Sequence, residues 1–159
     1  MSTRKISLLA LFISLSIVGG FIKIPAIVGS VALDFFPALM AAIYLGRPSG
    51  MIVASLGHLA SAFIGGMPLG PLHIFVAIAM AVIVLGFQII YKKGHWILAG
   101  IFLVLANALI APLPLLFFFS AEFYIALLPS LLVGSFVNTL VALILAPRFQ
   151  PIFDRLASQ

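Results

Sequence analysis

The sequence predicts an all-α membrane protein: a compact bundle of six transmembrane helices with both termini in the cytoplasm. Three observations lead there. Hydrophobic residues make up 65% of the 159 positions and charged residues 7%, with a mean hydropathy of +1.38. A typical globular chain is about 45–50% apolar and about 25% charged, so lipid rather than water must solvate this surface. The apolar runs also recur at the length of a membrane span. Six helices of about 20 residues use roughly 120 positions and leave too few for a soluble domain, so residues 1–159 read as one transmembrane domain. Finally, the basic residues fall almost wholly on alternate loops.

The first span covers residues 6–22, after Arg4 and Lys5. A basic start and an apolar run also describe a signal peptide, but no Ala-x-Ala cleavage site follows and everything downstream is membrane-like, so it reads as a retained helix. Lys23, Pro25 and Gly29 break the chain into a loop over 23–30. A short second helix is expected over 31–46, with Asp34 and Pro37 near its start. Arg47-Pro48 turns into a third helix over 48–65, and the Pro/Gly-rich segment 65–71 forms the next loop. The fourth helix covers 72–91, and Lys92-Lys93-Gly94-His95 turns the chain into a fifth over 96–119. Pro112 and Pro114 bend the far end of that helix. The sixth covers 121–146 and ends at Pro147, leaving a tail that reads as a short interfacial helix or a frayed end.

Alternating the sides puts Arg4, Lys5, Arg47, Lys92, Lys93, Arg148 and Arg155 on one face and only Lys23 on the other. Basic loops stay in the cytoplasm, so loops 23–30, 65–71 and 119–122 face outward. A re-entrant second segment would invert everything after it and spoil this asymmetry. The scattered basic residues orient helices, so nucleic-acid binding is not expected. Without cysteine there are no disulfides, thiol redox chemistry or thiolate metal sites. Phosphate-cradling, zinc-protease and serine-hydrolase motifs are also missing from the sequence. The chain reads as a non-enzyme with no cofactor, no metal and no motor of its own.

Ionisable groups at membrane depth are functional candidates. Asp34, His58, His73 and Glu122, with Lys23 at the boundary, all fall in the outer half, which describes a cup opening outward. Asn107 and Asn138 lie nearer the middle. Each has a plainer reading. Lys23 snorkels to headgroups, Asp34 caps helix two, Glu122 suits a helix start, and the histidines and asparagines bond neighbouring helices. Phe35, Phe119 and Met67 lie at the same end, where aromatics form an interfacial belt or hold a flat heterocycle carrying hydroxyls. The candidate substrate-binding set is Lys23, Asp34, Phe35, His58, Met67, His73, Asn107, Phe119 and Glu122. On helix one, Ala10 and Ser14 have the small-x-x-x-small spacing that lets another helix approach.

A motorless bundle with an outward cup resembles the substrate-binding S components of energy-coupling factor (ECF) vitamin transporters. The residues that carry the resemblance are Asp34-Phe-Phe-Pro37, Leu45-Gly46-Arg-Pro48-Ser-Gly50, Gly57-His58-Leu-Ala-Ser61 and Gly66-Met-Pro68-Leu-Gly-Pro71-Leu-His73. Within that family the stretch is most similar to the branch assigned to α-ribazole, the benzimidazole nucleoside precursor of cobalamin. The resemblance implies a multi-pass protein of the cell membrane that binds a small vitamin-type substrate for uptake. It also implies a transmembrane scaffold subunit and two cytoplasmic ATPases as partners, with docking at Ala10 and Ser14, where the family often has Ala-x-x-x-Ala. Other readings are an S component for riboflavin, pantothenate or cobalamin, or an intramembrane metal-dependent enzyme using His58, His73 and Asp34.

Overall fold

The structure is a computed structural model that describes residues 2–25 and 30–157; the tip of the first expected loop and the extreme termini lie outside them. In chain order it contains α1 (Thr3–Phe21), a hairpin of β1 (Lys23–Pro25) and β2 (Ser30–Ala32), then α2 (Phe36–Tyr44) and α3 (Arg47–Ile64). α4 (His73–Lys92), α5 (Trp96–Leu105), α6 (Leu115–Phe118) and α7 (Ala121–Ala157) follow. Among the described residues, four stretches are long and apolar enough to cross a membrane: Thr3–Phe21, Gly70–Lys92, Trp96–Phe118 and Ala121–Leu156. α2, with nine residues, extends only about 14 Å at 1.5 Å per residue.

Three boundaries differ from those the sequence suggests. The second helix does not begin at 31. Residues 30–32 instead pair antiparallel with 23–25, Lys23 opposite Ala32, which satisfies backbone groups that lipid would leave unpaired. Pro37 then occupies the first turn of α2, where its missing N–H costs nothing. The fifth span breaks after Leu105 into a π-helical turn, Ala106–Ile110, before Pro112 and Pro114 lead into α6. The last helix does not stop at 146 but runs through Pro147 and Pro151 to Ala157. Its end is held by packing: the Phe153 ring stacks on Tyr44 at 4.0 Å and on Phe12 at 6.1 Å. Arg4 also donates to the Leu156 carbonyl and Tyr44 to that of Ala146.

These contacts gather the N-terminus, the α2–α3 turn and the end of α7 at one end of the bundle. Arg47 donates to Gln88 Oε1 at 2.9 Å, which adds the end of α4. We call this the basic end and the opposite one the hairpin end. α2 is the central helix, packed against α1, α3, α4 and α7, with Pro37 through Ile43 all buried. Close approach depends on small residues. A Cβ on Gly50 would lie 2.4 Å from that of Ala42, so glycine there lets α3 touch α2 directly.

Candidate functional site

α2 fills the centre of the bundle only toward the basic end. Its start is fixed by Asn138 of α7, whose Oδ1 accepts from the Phe35 and Phe36 N–H groups at 3.0 and 2.9 Å. Asn138 Nδ2 donates to the Ala32 and Gly134 carbonyls, each at 2.9 Å. Asp34 is therefore not the cap of α2; Phe35 holds that position without a side-chain bond of its own, and α7 supplies the acceptor. Asn138 lies about 24 Å along α7 from Glu122, at 1.5 Å per residue. Toward the hairpin end from that level lie two groups of polar side chains.

One group of them is built by α1, α3 and α4. Ser16 donates to the Asp34 carbonyl at 2.6 Å, and a Cβ on Gly57 would sit 2.6 Å from Ser16, which sets α1, α3 and the 33–35 turn at one depth. Ser61 of α3 lies near the Asp34 carboxylate. One turn back along α3, His58 Nε2 lies 3.2 Å from His73 Nδ1 of α4. His73 Nε2 in turn receives the Leu69 N–H at 3.3 Å. A nitrogen that accepts carries no proton, so Nδ1 of neutral His73 holds the hydrogen and donates it to His58. That tautomer leaves neither facing nitrogen of the pair with a lone pair free for a metal. Among the described residues, no three His, Cys, Asp or Glu side chains form a metal-binding group.

The loop over this group is ordered by backbone bonds. Gly66 has φ +84°, its N–H meets the Phe63 carbonyl at 3.1 Å, and Met67 N–H meets that of Ala62 at 2.8 Å. This doubly bonded helix ending depends on a left-handed residue, which glycine supplies. Met67 itself adopts φ +48° and leads into a 3-10 turn over Gly70–Leu72. Lys23 is exposed on β1, its Nζ 3.9 Å from where a Gly65 Cβ would stand.

The second group lies between the π-helical turn and α7. Asn107 Nδ2 donates to Ser135 Oγ at 2.8 Å, one turn from Asn138. Its Oδ1 is buried and has no partner. A π-helical turn often marks a functional position, and this one carries Asn107.

The candidates thus divide. His58 and His73 bond each other, Asp34 lies near Ser61 one turn along α3, Met67 and Lys23 lie on the adjoining loop and hairpin, and Asn107 in the π-helical turn bonds Ser135 of α7. Phe35 is buried in the apolar core. Phe119 is half exposed and packs on Phe123 at 4.8 Å, and Glu122 is exposed at the start of α7; both belong to the rim. Sequence reasoning gave no role to Ser16, Ser61 or Ser135. Ser61 was within reach, since it lies three positions from His58 on one helical face.

Comparison with known proteins agrees with this architecture. The family model described as ECF transporter, substrate-specific component, matches residues 4–155. A solved structure described as "Structure and mechanism of the S component of a bacterial ECF transporter" is 19% identical with a TM-score of 0.71, covering 96% of this chain and 98% of that one. No curated protein matches the chain in sequence.

Proposed function

We propose how this chain, which belongs to the substrate-specific components of ECF transporters, holds its substrate. Members of the family are multi-pass membrane proteins that bind a small molecule for uptake and are not enzymes, and they work with an ECF scaffold and ATPases. The site is the polar level above α2, bounded by Asp34, His58 and His73 on one side and Asn107 on the other. The observation that carries this reading is the short α2, which leaves that level to polar side chains. In the closed arrangement His58 bonds His73 and Ser61 lies near Asp34. A ligand with hydroxyl groups replaces those contacts with its own, and its donor meets the free Oδ1 of Asn107. The 65–72 loop, tied to His73 through Leu69, opens to admit it.

The ligand this reading favours is α-ribazole. Its ribose hydroxyls suit the carboxylate, imidazoles and amide, and its flat benzimidazole suits the apolar side chains toward the rim, with Met67, Lys23 and Glu122 shaping the entrance. Native mass spectrometry of the purified chain, followed by titration with α-ribazole, riboflavin, pantothenate and cobalamin, tests this. Retention of one of the other three, with α-ribazole silent, removes the specificity and keeps the site.

The basic end faces the cytoplasm in this reading, on the asymmetry of seven basic residues against one. A Ser2→Cys variant is expected to react with an impermeant thiol reagent only in broken cells; labelling of intact cells reverses the orientation. The scaffold, itself bound to two ATPases, docks on α1, where Ala10 and Ser14 are exposed beside Leu11, Leu15 and Val18. Ala10→Trp is expected to abolish uptake while isolated-subunit binding persists. Equal loss of both places Ala10 in folding rather than docking.

A further inference from the structure

The basic end holds a feature that substrate binding does not use. A cavity of about 290 Å³ opens there, lined by Ser2, Arg4, Lys5, Tyr44, Leu45 and Phe153, among others. Its floor is the Tyr44–Phe153 ring stack with Leu45; its wall is the first turn of α1. That turn carries two cations and no acidic residue, the reverse of what the positive end of a helix dipole favours. Ser2 Oγ already accepts the Lys5 N–H at 3.3 Å, so the hydroxyl covers one terminal donor and the cations remain. Arg4 spends one N–H on the Leu156 carbonyl. Lys5 is half-buried. The one acidic side chain near the stack, Asp154, accepts from Gln150 at 2.7 Å.

We propose that this cavity binds a phosphate-bearing anion, held by Arg4 and Lys5 above an apolar floor. A half-buried ammonium beside a guanidinium calls for an anion, and arginine matches phosphate oxygens through its fork of donors. The apolar floor adds a second requirement. An anionic phospholipid meets both, its phosphate on the basic wall and its glycerol and first methylenes over Leu45 and the ring stack. A soluble phosphate meets only the first. The bound group ties the start of α1 to the end of α7, the two ends that Arg4 and Phe153 already join.

The test uses the purified full chain in detergent. Native mass spectrometry with phosphatidylglycerol or phosphatidylcholine added is expected to show one retained phosphatidylglycerol and little phosphatidylcholine. Lys5→Gln is expected to lower that occupancy about five-fold, the loss typical of one basic residue at an anionic surface, while Lys5→Arg restores it. Lys92→Gln with Lys93→Gln, exposed at the same end but outside the cavity, is expected to leave occupancy unchanged. Thermal unfolding separates the sources. Protection by phosphatidylglycerol but not by inorganic phosphate supports the lipid; equal protection by both supports a phosphate site filled from solution. Equal retention of phosphatidylcholine, or an equal loss in the Lys92/Lys93 variant, overturns the proposal.

Discussion

Two asparagines one helical turn apart in depth show how the bundle divides its labour. Asn138 uses its full hydrogen-bonding capacity, with two bonds accepted at Oδ1 and two donated from Nδ2. It closes the start of α2, and with it the half of the molecule filled by alanines and branched apolar side chains. Asn107 makes one bond, to Ser135, and leaves a buried carbonyl oxygen unpaired. Both residues are polar groups in the middle of apolar helices, and composition does not tell them apart. Completeness of bonding does. The saturated side chain closes the start of α2, and the unsaturated one leaves an acceptor open, which is the acceptor the proposed site uses.

Removing the saturated one is expected to have the largest effect. Asn138→Ala leaves the Phe35 and Phe36 N–H groups and the Ala32 carbonyl without their side-chain partner inside the bundle. At about 1–3 kcal/mol for each buried group left unpaired, the melting temperature is expected to fall by about 10 °C or more. Thermal unfolding in detergent measures it. An unchanged Tm means water or backbone shifts replace the cap, and the contrast between the two asparagines collapses.

The histidine pair lies between these extremes, bonded to itself and to one loop N–H. His58→Ala and His73→Ala are each expected to weaken ligand binding by about 5- to 150-fold, the equivalent of about 1–3 kcal/mol for one buried polar contact, with the protein still folded. His73→Ala also releases the Leu69 N–H, so faster hydrogen exchange is expected there and not in the His58 variant. Titration calorimetry decides: if both variants bind every ligand as the parent does, the pair is helix packing.

The existence of the long spans was legible because hydrophobicity is a property of the chain in one dimension. What could not be read depends on partners far apart in sequence. The cap of α2 comes from a residue 102 to 103 positions away, so Asp34 stood in for it. The hairpin strands are three residues long, too short to show a period. Pro147 reads as a helix stop, yet Phe153 docking on Tyr44 and Phe12 carries α7 past it, a tertiary contact overriding local punctuation. At the site, His58 and His73 stood out as imidazoles in apolar runs, while their mutual bond needed the fold. Ser61 and Ser135 did not stand out at all, since serine is common in membrane helices and only their partners mark them.

The smallest and most discriminating effect is expected at Asn107. Its single bond to Ser135 contributes on the order of 1 kcal/mol, and its orphan carbonyl costs a similar amount, so Asn107→Ala is expected to leave the melting temperature of the empty protein unchanged or slightly raised. The ligand, by contrast, loses the acceptor it meets, and affinity is expected to fall several-fold. Only a functional residue separates the two readouts in this direction; a packing residue lowers stability and affinity together. Asn107→Asp sharpens the point, since it keeps acceptors and removes the donor to Ser135. If Asn107→Ala melts several degrees lower and binds as the parent does, the carbonyl serves the fold, and the second side of the proposed site is lost.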